Sequence, residues 1–225
     1  MDLKLSDPWK ILVAPGFPLG AFDQMEPVFD LVRDGIRKTH LIRAWVNVAY
    51  RHRSCVEDSA AFASAIADMK QDGYPYERPL YSFFTSGLSA LESVGFGVHA
   101  IGSSVAPDGF PMATAEDCRN VTLGSTQKRL GQSFAGYEIT TLLRELQDDD
   151  AFSGWCNWRN QMTHRATPGL GIRVTVGTDA VTYLGDSDEV LAPELTEARL
   201  EWLERWLSRL LPAAVDFGTA ALRKE

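Results

Sequence analysis

Cysteine is scarce: Cys55, Cys118 and Cys156 are the only three among 225 residues, and none forms a C-x-x-C pair. An odd, dispersed set argues against a disulfide framework and against a cysteine-based zinc site. The three are expected to be plain reduced thiols, buried as free cysteines usually are. Long apolar runs are missing as well. No stretch of the chain reaches the roughly 18 residues that a membrane-spanning helix needs. Met1–Pro8 has neither the basic flank nor the apolar core of an export signal, so the expected location is cytoplasmic.

Positive charge is in deficit. Twenty-two basic residues against 30 acidic ones leave a formal charge of −8. A general nucleic-acid coat protein draws its affinity from phosphate contacts and is usually basic, which argues against that class. An enzyme with a locally basic cleft, or one whose site is built from two copies, stays compatible with this balance. Metal-binding patterns are missing too: there is no H-E-x-x-H and no Cys/His cluster, so neither a metal nor another cofactor is expected. Asp148, Asp149 and Asp150 read as a solvated helix stop, because a Mg²⁺ site also needs substrate phosphates or converging partners. Gly169-Leu-Gly171 lacks the preceding strand and following helix of a nucleotide fingerprint.

What is present is mostly helical periodicity. Residues 1–24 carry Pro8, Pro15, Gly16, Pro18 and Gly20 and read as an irregular N-terminal arm. Val28, Leu31, Val32, Ile36, Leu41, Ile42, Trp45 and Val48 recur at helical steps and predict a helix from Met25 to about Cys55, bent or divided at Gly35. A second is expected over about Val56–Gln71, closed by Asp72-Gly73. The third, about Leu80–Val105, is apolar on nearly every side, the mark of a central helix. Thr114-Ala-Glu116-Asp117 looks like a helix start, residues 118–135 are weakly patterned, and Tyr137–Leu146 is amphipathic. After a helix over 151–166 the period changes: Ile172–Val176 and Val181–Leu184 flank Gly177–Ala180, a β-hairpin pattern. Pro193 opens a last helix, expected to break near Pro212. The fold expected is mainly α, a helical bundle with a small β-hairpin insert (about 171–185) before the last helix. Residues 25–225 would form one domain.

Most of the chemistry lies in Trp155-Cys-Asn-Trp-Arg159-Asn160-Gln-Met-Thr-His164-Arg165. A guanidinium holds phosphate with a rigid fork of donors, and an imidazole moves a proton near neutral pH. Together they can cleave RNA without a metal. Spacing adds a condition, since five residues at 3.6 per turn set two side chains about 140° apart on an ideal helix. A helix break, or a two-fold dimer, would have to bring them together.

Arg159-Asn160 with His164 resembles the R-x(4–6)-H motif of the HEPN superfamily, over about residues 25–211, with the polar residue after the Arg that its ribonuclease members commonly show. The resemblance implies an all-α bundle, a homodimer, RNA as substrate and, in defence or toxin–antitoxin settings, a partner or antitoxin protein. It also implies roles. Arg159 would hold the scissile phosphate and stabilise charge on its oxygens, Asn160 would orient one of the two catalytic groups or the phosphate, and His164 would shuttle the proton of the ribose 2′-hydroxyl or the leaving oxygen. Glu92, His99 and Arg165 would be supporting polar groups, Glu92 and His99 sharing one helical face with Ser89.

Each of these residues has a blander reading. Arg159 could tie helices together through Glu92, His164 could cap its helix, and Glu92 with His99 could be a satisfied buried network. Arg51-His52-Arg53, a small basic cluster at an expected helix end, could touch RNA phosphates or be a solvated C-terminal turn, the latter being the expectation. Trp202 and Trp206 read as core or interface. A non-catalytic interaction or nucleotide-sensing module is therefore the rival function.

Overall fold

The computed structural model describes residues 13–67, 74–164, 171–174, 181–184 and 192–224. Among these the chain is mainly helical. Its elements are α1 (Leu19–Asp23), α2 (Glu26–Leu31), α3 (Gly35–Ala67), α4 (Tyr74–Val105), α5 (Ala115–Arg119), α6 (Leu123–Ser133), α7 (Glu138–Asp148), α8 (Asp150–His164), β1 (Gly171–Val174), β2 (Val181–Leu184) and α9 (Pro193–Leu222). The strands pair antiparallel, with Gly171 opposite Leu184 and Val174 opposite Val181. Thr175, Val176, Gly177–Ala180 and Arg165 lie outside the described residues, as does the expected helix stop at Asp72-Gly73.

Three expectations are corrected. The helices expected over Met25–Cys55 and Val56–Gln71 are instead a short α2 and one long α3. Val32 is extended at the end of α2, and the chain restarts at Gly35. No breaker stands between Cys55 and Val56, so nothing ends α3 there. Arg51-His52-Arg53 consequently lies mid-helix and not at a helix end, and His52 is fully buried. The third correction concerns Pro212, which α9 passes without interruption.

Contacts divide the chain into two compact units: Met1–Arg53 with Ser89–Asp149 and Glu204–Glu225, and Ser54–Leu88 with Asp150–Leu203. The first unit is organised on the later half of α4, where Leu91, Val94, Val98 and Ile101 are solvent-free. Leu41, Trp45 and Val48 of α3, Leu142, Leu143 and Leu146 of α7, and Trp206, Leu207, Leu210 and Leu211 of α9 complete its core. Burying each such side chain contributes roughly 1.5–3 kcal/mol. Two short helices in this unit start with reciprocal caps. The Thr114 side chain accepts from Asp117 N–H while the Asp117 carboxylate accepts from Thr114 N–H, and Thr122 pairs with Ser125 in the same way. Gly16 has φ of 86°, a left-handed conformation that favours glycine, and a Cβ there would displace the Glu204 carboxylate.

The second unit is built on aromatic rings. Trp155 of α8 stacks on Phe83 at 5.0 Å and meets Phe84 edge-on at 5.2 Å. Trp158 stacks on Phe84, and Trp202 lies 6.0 Å from Trp155. A Cβ on Gly87 would overlap the Trp155 ring, so the small residue in α4 is what admits the indole. Trp202, like Trp206 of the first unit, was expected as core or interface and is buried. Ser59 donates to Thr196 Oγ1 at 2.8 Å, and Ser82 donates to Asp58 at 2.7 Å. Desolvation raises the Asp58 pKa, opposed by the Ser82 hydrogen bond. The cysteines of both units are free thiols, but only Cys55 is buried; Cys118 and Cys156 are half-buried. Among the described residues, no helix is long and apolar enough to cross a membrane.

Candidate functional site

Helix α8 carries the motif. Asp150 sits in its first turn, where a carboxylate complements the helix dipole. Trp155 and Trp158 are buried among the aromatic rings of the second unit, which fixes the rotation of the helix about its axis. That rotation leaves Arg159 half-buried and Asn160 exposed. Arg159 and Asn160 both have partners within the protein. His164 is the last residue of α8; its side chain lies outside the described residues.

The helix is continuous from Asp150 to His164, so no break intervenes between Arg159 and His164. Positions 159 and 164 are therefore about 140° apart around the helix axis and about 7.5 Å apart along it. Within one copy of α8, positions 160 and 164 lie one turn apart on one face, while position 159 lies about 100° and about 140° round the axis from them.

Glu92 and His99 belong to the first unit, whereas Arg159, Asn160 and His164 belong to the second. Within the first unit the two expected face-mates part company. His99 is a core histidine, only 1% exposed. Its Nε2 lies 3.2 Å from Pro111 O, its Nδ1 lies 3.3 Å from Thr126 Oγ1, and Phe110 packs edge-on against the ring. A carbonyl can only accept, so Nε2 carries the proton and Nδ1 accepts from the hydroxyl. Burial pulls the His99 pKa down, the Pro111 hydrogen bond opposes this, and Arg129 adds to the lowering. This is a satisfied neutral imidazole and not a supporting group of an open site. Glu92, by contrast, is exposed.

Glu92 and Ser89 line a cleft of about 660 Å³ between α3 and α4. The α3 wall presents His40, Arg43, Asn47 and Arg51, and Phe96 adds a half-buried ring from α4. Steps of three, four and four put those α3 side chains on one helical face. Asn47 donates to Ser93 Oγ at 2.8 Å, and Ser93 donates on to Ser89 O at 2.7 Å, which fixes the floor. His40 meets Phe96 edge-on at 5.7 Å and lies 3.9 Å from the Cys118 thiol. Val121 and Thr122, at the start of α6, close one side. The sequence showed Glu92 with Ser89 and the basic Arg51-His52-Arg53 separately, without bringing them to one cleft. Its signal was a polar stripe on one face of α3, hidden by placing Arg51 at a helix end.

A second polar arrangement in the first unit is fully enclosed. His52 is 0% exposed, and its Nε2 donates to Glu204 Oε1 at 3.1 Å. Among the described residues its Nδ1 has no hydrogen-bond partner. Burial lowers the His52 pKa, and Glu204 partly opposes this through its hydrogen bond and its charge. Phe17 packs 5.3 Å from the ring.

Among the described residues no group of three or more His, Cys, Asp or Glu side chains could hold a metal ion. Comparison with protein-family models, curated proteins and solved structures returned no match for this chain.

Proposed function

We propose that this is a HEPN-like helical protein acting as a metal-independent endoribonuclease, with Arg159, Asn160 and His164 as its working residues. The observation that carries the reading is the placement of all three on the last turns of α8, with Asn160 exposed beside Arg159. Arg159 stabilises charge on the scissile phosphate, Asn160 orients that phosphate, and His164 transfers the proton. Divergence along an unbroken helix makes the homodimer part of the mechanism. Arg159 of one copy and His164 of the other meet across a two-fold groove, so a lone chain is inactive. RNA is the substrate on this reading. A partner or antitoxin protein would act by covering the same helix end. The test is cleavage of RNA in EDTA by the wild-type chain, compared with Arg159→Ala and His164→Ala.

A second reading is favoured by one observation: Arg159 is half-buried and already engaged within the protein. On it the guanidinium is a structural tie, and the chain is a non-catalytic interaction or nucleotide-sensing module. The melting temperature of Arg159→Ala separates the two. A tie leaves its partner orphaned and the protein several degrees less stable, whereas a catalytic arginine leaves stability nearly unchanged.

A further inference from the structure

We propose that the cleft between α3 and α4 is a binding site for a small phosphorylated molecule carrying free hydroxyls, of the sugar-phosphate or nucleotide class. The inference rests on the first unit alone and is independent of the motif helix.

The cleft holds more positive than negative charge, and the Arg51 guanidinium has the Tyr50 ring 5.8 Å away as an aromatic neighbour. Arg43 and Arg51 line it with one carboxylate, Glu92. Among the described residues, none of these three takes part in an ion pair. Two arginines left open in one cleft of a protein with net charge −8 run against the charge balance of the whole chain. Arg51 goes further, because its Nε is buried and has no hydrogen-bond partner among the described residues. A buried donor left without an acceptor is unfavourable, and a phosphate oxygen is the acceptor a guanidinium fork fits best.

The remaining walls define the rest of the ligand. Asn47 lies one turn before Arg51 on the same wall, and its amide, which gives one N–H to Ser93, has a second N–H to offer the phosphate beside the Arg51 guanidinium. Arg43 lies two turns from Arg51, about 12 Å along the axis, beyond the span of a single phosphate. It reaches a second polar portion of the ligand or adds to the field that draws the anion in. Glu92 is an acceptor facing a cleft that otherwise offers mostly donors, so it selects hydroxyl groups. The half-buried Phe96 ring, held edge-on to His40, supplies an apolar wall for a sugar or base. A volume of about 660 Å³ lies in the range of small-ligand sites and exceeds what inorganic phosphate fills.

The test is calorimetric titration of the full chain at low salt with ribose 5-phosphate, AMP, ribose, inorganic phosphate and a short single-stranded RNA. Arg51→Ala, Arg51→Lys and Arg43→Ala are run alongside, with helicity and melting temperature recorded for each. The expected result is saturable binding of ribose 5-phosphate or AMP at least tenfold tighter than ribose or inorganic phosphate. Arg51→Ala should weaken it tenfold or more, Arg51→Lys should restore part, and exposed Arg43→Ala should weaken it with stability unchanged. AMP alone among the two would identify a nucleotide, and equal binding of both a sugar phosphate. The inference is overturned if neither phosphorylated ligand binds the wild type, if binding survives in the folded arginine variants, or if only the RNA binds.

Discussion

Trp155 and Gly87 fit together where the motif helix packs on α4. Trp155 touches Phe83, Phe84 and Trp202, and its indole occupies the space that Gly87 leaves open. Trp155→Ala should destabilise by about 3–5 kcal/mol through lost transfer energy and the cavity left behind. Gly87→Ala should destabilise by about 1–3 kcal/mol, because the new methyl overlaps the ring. Chemical denaturation of the two variants checks both values; a neutral Gly87→Ala would mean that the ring sits elsewhere. The same pair explains a limit of the sequence. Trp155 and Trp158 were legible as apolar companions of Arg159. Their packing partners lie some 70 residues earlier in α4, and no local pattern shows that. His99 was misplaced for a similar reason: helical spacing put it on a face with Glu92, while the partners that bury it, Pro111 O and Thr126, come from outside α4.

The buried histidines also set a pH dependence. His52 and His99 both have pKa values lowered by desolvation below the ordinary value. Unfolding returns each to about 6.5, so the unfolded state binds more protons once the pH falls below that value. Their contribution to stability is complete above pH about 6.5. It is lost as the pH falls through the lowered folded values. Unfolding free energy measured between pH 7.5 and 5 should therefore decline, and decline less steeply in His99→Gln. Equal slopes in the two proteins would show that His99 is not a neutral, buried group.

At the scale of elements, local chemistry fixed some boundaries and concealed others. Thr114-Ala-Glu116-Asp117 announced the start of α5, and the capping box is there. Thr114→Ala should cost about 1 kcal/mol, readable as a shift in the urea midpoint with no change in slope. Helix α6 was hidden because its apolar positions are few: Leu123 and Leu130 flank a buried Thr126, on an otherwise polar sequence. The fusion of two expected helices into α3 had a plain cause, the absence of Gly or Pro between Cys55 and Val56. Reading Arg51-His52-Arg53 as a helix end followed from that error and concealed the basic wall of the cleft. Pro212 shows the reverse case. A proline in a helix interior ordinarily costs about 3 kcal/mol, yet α9 runs through it to Leu222. Pro212→Ala is expected to raise the melting temperature, and a lowered one would show that the ring packs too well to replace.

For the whole chain the net charge is −8. On the proposed function α8 offers RNA one arginine and one histidine per chain, so binding should vary only weakly with salt, and the net acidity of the chain predicts no general affinity for duplex DNA. The proposed mechanism also requires a dimer. An unbroken α8 separates Arg159 from His164 by about 140° of helical rotation, so activity should rise with the square of concentration wherever the monomer predominates. The sequence carried the residues of this mechanism but not their geometry, since helix continuity through Arg159 and His164 depends on how α8 is held by its tryptophans.

The measurement that bears most directly on the proposed activity is incubation of the purified chain with total RNA in excess EDTA, with Arg159→Ala and His164→Ala alongside and an equimolar mixture of the two variants. The account predicts cleavage by the wild type, none by either folded variant alone, and partial recovery in the mixture, where one interface in the heterodimer regains an intact Arg159 and His164. Undiminished cleavage by the variants, or no cleavage by the wild type at concentrations where it is dimeric, would contradict it.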